Sequence, residues 1–277
     1  MPDLKSLRFP DAKYYGRNPN SRGPFVRGRP VGILLHYTAG GTAAERLAGK
    51  GGSNVSCHFA VGRKGDVHQC GDLDQRLWHA GESFIAGMSM LNDWYIGIEQ
   101  ANYGYWRTWK PSEWPKDFPK TTALAEKEGW LRRVHKYDAV HNPSRSLFWE
   151  PYPESLLAKT EAICRWLLEN IPTIKNIHGH DDVSPGRKSD PGPAFPMNRF
   201  RNLLMPEDSS KPSRYKVQVS DFLNVRASPS ALAEKREWGP LKDGDIVEYL
   251  REDGSWFMIQ NKDGKDGWVN SLYLRRV

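Results

Sequence analysis

Gly179-His-Asp-Asp-Val-Ser-Pro-Gly-Arg-Lys-Ser-Asp-Pro-Gly-Pro193 is the stretch from which the rest of the chain can be read. Residues 174–177 before it, Ile-Lys-Asn-Ile, read as a short strand, and His180 follows the end of that strand. Asp190 comes ten residues later, in front of a Pro-Gly-Pro turn. Far upstream, residues 31–37 form a continuous apolar run of the kind a strand buried on both faces needs, and His36 lies at its end. Imidazole nitrogens and a carboxylate oxygen are good zinc donors, and three protein ligands with one open position is the catalytic arrangement. Spacing alone does not select these three. A chain with eight histidines offers many such triples, and each residue also reads as an ordinary polar side chain.

A length of 277 residues suits two domains better than one core. Hydrophobic residues make up 38% of the chain, and 11 Trp with 11 Tyr exclude a disordered polymer. Mean hydropathy is −0.69, that of a polar globular protein. The longest apolar runs are strand-sized, well short of the roughly 18–20 residues of a membrane helix, so no membrane span is expected. Residues 1–30 carry Lys and Arg without the apolar core of a secretory signal peptide. Three cysteines, Cys57, Cys70 and Cys164, show no C-x-x-C spacing, and their odd number argues against a disulfide framework. A Cys57–Cys70 bridge across neighbouring strands stays open, with plain thiols the expectation. The net charge of +7 leaves +6 on residues 1–213. That surface suits a polyanion, whether nucleic acid or an acidic cell envelope, and equally suits no partner at all.

Residues 1–30, rich in Arg, Pro, Asn and Gly, read as an irregular arm. Residues 42–48 read as a short helix. Residues 57–62 and 67–70 flank Arg63-Lys-Gly-Asp66 and read as a β-hairpin, and Tyr95–Gln100 as a strand. Residues 103–152 hold five of the Trp (Trp106, Trp109, Trp114, Trp130 and Trp149) and several prolines, and read as an insertion with one helix over 122–134. Its aromatics either pack it onto the body or form a stacking wall for sugar rings. Glu154–Asn170 is the strongest helix, opened by Pro153, with Leu156, Thr160, Ile163, Cys164, Leu167 and Leu168 on one stripe. Residues 206–213 read as a polar linker. Beyond it, alternating Tyr215, Val217 and Val219 and Asp-Gly turns at short intervals describe a small all-β domain.

Five segments occur in one order: His36-Tyr-Thr-Ala-Gly40, Ser56-Cys-His-Phe59, Trp78-His-Ala-Gly81, Ile96-Gly-Ile-Glu99 and the stretch from Gly179 to Pro193. Together they resemble the type 2 N-acetylmuramoyl-L-alanine amidase family, which includes phage amidases and peptidoglycan recognition proteins. The resemblance covers about 31–205 and is interrupted by the insertion. It implies an α/β fold, with a mixed central sheet flanked by helices and a zinc cleft. Zinc would fall to His36, His180 and Asp190. His178, the rival ligand, lies at the wrong spacing from the aspartate and reads as structural. Glu99 matches the family's catalytic glutamate, which moves a proton from water to the leaving amine. Lys188 matches the lysine that stabilises the oxyanion. His79, Asn102 and Arg187 are expected on the substrate side. Some relatives carry a tyrosine where this chain has Cys57, so a mechanism using that tyrosine does not transfer.

The tail carries its own resemblance. Leu223-Asn-Val-Arg-Ala-Ser-Pro-Ser230, Leu241-Lys-Asp-Gly-Asp-Ile-Val247, Ser255-Trp-Phe257 and Gly267-Trp-Val269 are similar to a bacterial SH3 (SH3b) domain over 214–277. The two resemblances imply residues 1–205 as a zinc amidase domain and a small SH3-like barrel after the linker. The implied reaction is cleavage between N-acetylmuramic acid and L-alanine in peptidoglycan or muropeptides. Such a wall-degrading enzyme, an endolysin or autolysin, would be made in the cytoplasm and act at the wall or periplasm. A non-catalytic peptidoglycan receptor on the same fold is the alternative, disfavoured because both the ligand positions and Glu99 and Lys188 are filled. A stem-peptide zinc peptidase is disfavoured by motif order. No nucleic-acid partner is expected, and the sequence leaves the oligomeric state open.

Overall fold

The computed structural model describes residues 2–107, 116, 118–204, 214–253 and 256–277. The expected linker, together with Trp109 and Trp114, lies outside them. The chain divides into two compact units, Met1–Met205 and Pro206–Val277.

Six strands make the central sheet of the first unit: β1 (Lys13–Tyr14), β2 (Gly32–Tyr37), β3 (Phe59–Val61), β4 (Val67–Gln69), β5 (Tyr95–Gln100) and β6 (Asn176–Gly179). Their spatial order is β1-β4-β3-β5-β2-β6. Only the β3–β4 hairpin is antiparallel, so the sheet is mixed. Strand β2 is buried on both faces because its side chains alternate between two apolar clusters. Ile33 and Leu35 pack with Leu156, Ile163, Cys164 and Leu167 of helix α1 (Glu154–Asn170), while Leu34 packs opposite them with Tyr95, Leu91 and Val183. By the same alternation, His36 and Glu99 project from the face away from α1. The register makes His36 the partner of Glu99. It also pairs Leu35 with Gly179, which brings His180, one residue on, level with His36.

Three expectations are corrected. Residues 1–30 are not an irregular arm, since β1 adds to the sheet edge and Ser21–Pro24 pairs with Gln75–Leu77. Leu4, Phe9 and Phe25 of that segment are buried. Strands this short, anchored by single apolar residues, carry no period a sequence could display. The helix expected over 122–134 ends at Lys127, with Gly129 in the left-handed region just beyond it. Leu131–Val134 is instead a strand paired with Ser146–Trp149, and a short helix, Lys136–His141, lies between them. Trp149 and Trp130 are buried and Trp106 half-buried, so these three pack the insertion rather than forming an exposed wall. The last strand of the sheet lies two residues later than expected, at Asn176–Gly179. The three cysteines are buried free thiols.

The second unit is a five-stranded antiparallel sheet in the order Asp266–Asn270, Trp256–Gln260, Ile246–Asp253, Arg214–Val217, Leu274–Arg276. Tyr215, Val217, Val225, Val247, Phe257, Ile259 and Val269 fill its core. Among the described residues, no helix is long and apolar enough to cross a membrane.

Candidate metal centre and active site

His36 at the end of β2, His180 just past β6 and Asp190 ten residues on converge on one point. His36 Nδ1 lies 2.9 Å from His180 Nδ1 and 3.0 Å from Asp190 Oδ2, and His180 Nδ1 lies 2.9 Å from that same oxygen. All three are buried, and among the described residues they are the one such group of potential metal ligands.

The outer nitrogens assign the tautomers. His180 Nε2 is 2.7 Å from the Ala80 carbonyl, so it carries the proton and leaves Nδ1 with a lone pair. His79 Nε2 is 3.2 Å from the Tyr95 carbonyl, so His79 Nδ1 is an acceptor. His36 therefore donates its Nε2–H to His79 Nδ1 at 3.1 Å, and its own Nδ1 is a lone pair too. Burial first, and then the neighbouring His180, push the His36 pKa down to about 4, so the ring is neutral at pH 7. Two imidazole lone pairs and a carboxylate oxygen thus face one another with no proton between them. Such a set repels itself unless a cation sits among it, and its N, N, O chemistry with carbonyl-anchored imidazoles fits zinc.

Glu99 lies beside this cluster on the same face, and one of its oxygens, Oε2, is buried without a hydrogen-bond partner among the described residues. Burial, and then the charge of Asp190, hold its carboxyl well above the usual carboxylate range, with Lys188 acting the other way. His36, His79, Glu99, His180, Lys188 and Asp190 all line one cleft of about 350 Å³.

The residues expected on the substrate side divide. His79 lines the cleft, but its ring is engaged by His36 and Tyr95, and a Cβ on Gly97 would lie 2.5 Å from it, so glycine is required beneath it. Arg187 also lines the cleft, yet its guanidinium donates to Ala80 O, Glu82 O and Ser184 Oγ. Asn102 is fully buried and is not among the residues that line the cleft. Its Nδ2 donates to the Glu150 carbonyl at 3.2 Å and its Oδ1 accepts from Gly104 N–H at 2.7 Å, bracing the base of the insertion. His178 is half-buried with its ring beside Tyr95. Cys57 is fully buried, with its thiol directed to the Phe59 carbonyl at 3.0 Å.

Sequence reasoning missed Arg46, a further cation lining the cleft. It also missed His58, which is fully buried, donates Nε2–H to the Gln75 carbonyl and accepts from Gly97 N–H. Only the motif Ser56-Cys-His-Phe59 hinted at the second.

The family described as N-acetylmuramoyl-L-alanine amidase matches residues 27–193, and the bacterial SH3 domain matches residues 221–275. Among curated proteins, the chain is similar to the 1,6-anhydro-N-acetylmuramyl-L-alanine amidase AmpD of Escherichia coli (strain K12). They are 31% identical over 154 residues, which is 55% of this chain and 60% of AmpD. It is also similar to the N-acetylmuramoyl-L-alanine amidase AmiD of the same strain, at 28% over 176 residues, 61% of this chain and 51% of AmiD. The chain thus spans 60% or less of the length of these two relatives. Among solved structures, a selenomethionine AmpD derivative gives a TM-score of 0.48 at 22% identity, covering 74% of this chain and 99% of that one. The complex of Escherichia coli AmiD with the substrate anhydro-N-acetylmuramic acid-L-Ala-D-gamma-Glu-L-Lys gives 0.45 at 23%, covering 66% and 61%. The family match spans well over half of the chain and contains His36, Glu99, His180 and Asp190, so this protein belongs to the N-acetylmuramoyl-L-alanine amidase family.

Proposed function

We propose that the chain hydrolyses the amide between the lactyl group of N-acetylmuramic acid and L-alanine, in peptidoglycan or muropeptides, with zinc held by His36, His180 and Asp190. The observation that carries this reading is the convergence of three unprotonated donor atoms beside a carboxylate that has one oxygen, Glu99 Oε2, buried without a hydrogen-bond partner among the described residues, inside the matched segment. Zinc, when bound, supplies a Lewis acid that polarises the scissile carbonyl and makes water more acidic.

The chain's own residues do the rest. Glu99 takes a proton from the attacking water and passes it to the departing alanine amine. Its raised pKa suits both halves of that transfer, because a carboxylate of ordinary acidity would be a poor proton acceptor near neutral pH. Lys188 sets a positive charge in the cleft where the carbonyl oxygen gains negative charge. His79 fixes the tautomer of His36, and Arg187 holds the Ala80 carbonyl that fixes the tautomer of His180. The second unit holds the enzyme on a polymeric wall and raises its local concentration there, placing its action at the wall or in the periplasm.

Digestion of purified peptidoglycan and of soluble muropeptides tests this, scoring new L-alanine amino groups and new reducing ends separately. Alanine amines without reducing ends, lost on chelation and restored by zinc, are expected. Release of neither from either substrate would leave a wall-binding receptor in place of the enzyme.

A further inference from the structure

The later part of the insertion lies against the ligand-bearing stretch at successive points. His135 Nδ1 accepts from Tyr137 N–H, so its Nε2 carries the proton and donates to Asp181 Oδ2 at 3.0 Å. Lys136 donates to Asp181 Oδ1 at 2.7 Å. Both oxygens of this buried carboxylate are thus taken by the insertion. Asp181 directly follows His180, and its backbone N–H donates to the Asp190 carbonyl at 2.7 Å, tying the segments that carry two of the three donors. Further along, a Cβ on Gly186 would lie 2.9 Å from Tyr137 Cζ, and one on Gly192 would lie 2.4 Å from Trp149 Cζ3. The His135 ring stacks on Trp149 with centroids 5.8 Å apart. Tyr152, at the insertion's end, donates to the Pro191 carbonyl at 2.8 Å.

We propose that the insertion is a positioning element for the metal centre: His135 and Lys136, acting through Asp181, hold His180 and Asp190 at the spacing that lets them share one ion. This rests on the zinc reading above. The physical reason is preorganisation. His180 and Asp190 are joined by a turn whose middle, residues 185–187, is exposed. A loop left to itself would lose conformational freedom on taking up the metal, and that cost would weaken binding. A buried carboxylate clamped on one side by the insertion and joined through its backbone to Asp190 removes the cost in advance. The insertion then acts on the centre without contributing a ligand to it.

The test uses the full chain and measures zinc affinity by chelator competition, the visible spectrum of the cobalt-substituted protein, and thermal unfolding of the metal-free protein. His135→Phe combined with Lys136→Met keeps an aromatic ring on Trp149 and removes both ties to Asp181. Arg145→Gln is the control, because it breaks an ion pair with Asp138 inside the insertion. The double variant is expected to bind zinc about 10- to 100-fold more weakly, the usual effect of losing partners behind the ligands. It should also shift the cobalt spectrum, and because Asp181 is left buried without its two partners it should melt lower when metal-free, so affinities are compared well below both melting points. Lys136→Arg, alone, should keep near wild-type affinity. Wild-type affinity in the double variant overturns the inference, as does an equal loss in Arg145→Gln, which would mean general loosening. A wild-type chain that binds no zinc overturns the zinc reading and this inference with it, whereas a binding wild type with unaffected variants overturns the inference alone.

Discussion

His36 and Glu99 are register partners on adjacent parallel strands, so the imidazole proposed to hold the metal and the carboxylate proposed to carry the proton leave the sheet side by side on one face. The backbone ladder, rather than a loop, sets their separation. Glu99→Gln keeps the shape and removes the titrating oxygen. It should lower amide hydrolysis by about 10²- to 10⁴-fold, the usual worth of a positioned acid-base group. Zinc content, measured by elemental analysis, should stay at the wild-type level.

The tautomer chain from the Tyr95 carbonyl through His79 to His36 predicts that His79 matters to the metal more than to substrate recognition. His79→Phe should weaken zinc binding by about 10- to 100-fold in chelator competition. At saturating zinc, KM for a soluble muropeptide should move little. A large KM change with unaltered zinc affinity would return His79 to the substrate side.

His58 predicts an acid-sensitive fold. Burial lowers its pKa from 6.5 to about 4, and both ring nitrogens are satisfied in the neutral form. Above pH 6.5 neither the folded nor the unfolded chain is protonated there, and nothing is lost. As pH falls from 6.5 to about 4, only the unfolded chain gains the proton, so stability drops by up to about 3 kcal/mol from this group and levels off below pH 4. Urea unfolding of chelated protein at pH 7 and pH 4.5 should show the drop. His58→Gln should be less stable at pH 7 and should have a shallower pH slope.

Removal of the second unit separates polymer from fragment. A chain ending at Met205 should keep wild-type turnover of soluble muropeptides and lose about 10²-fold or more on intact peptidoglycan, the scale of gain a tethered module gives. Equal loss on both substrates would show that the unit supports the fold instead of holding the polymer.

Strand β2, strand β5, the β3–β4 hairpin and helix α1 could be read directly, because each carries a local pattern: an unbroken apolar run, a turn sequence between apolar segments, a stripe at helical spacing. The ligand-bearing stretch could be found for a related reason. Its histidine, lysine, aspartate and prolines sit within fifteen residues of one another, so their order is visible without the fold. What stayed hidden depended on partners remote in the chain. The Tyr95 carbonyl, 16 residues away, fixes the tautomer of His79, and the Ala80 carbonyl does the same for His180 across 100 residues. The bonds of the Asn102 amide to Glu150 and Gly104 were equally invisible in the sequence. Backbone carbonyls leave no signature in a sequence, because every residue has one and only the folded path decides which ring it meets. The same holds for the N-terminal strands and for the insertion's hold on Asp181, where a two-residue pairing and a pair of side chains carry no periodicity. The sequence by itself determined the elements that carry a local period and the residues expected to carry the chemistry. Only the tertiary structure decided which protons those residues hold and what keeps them in place.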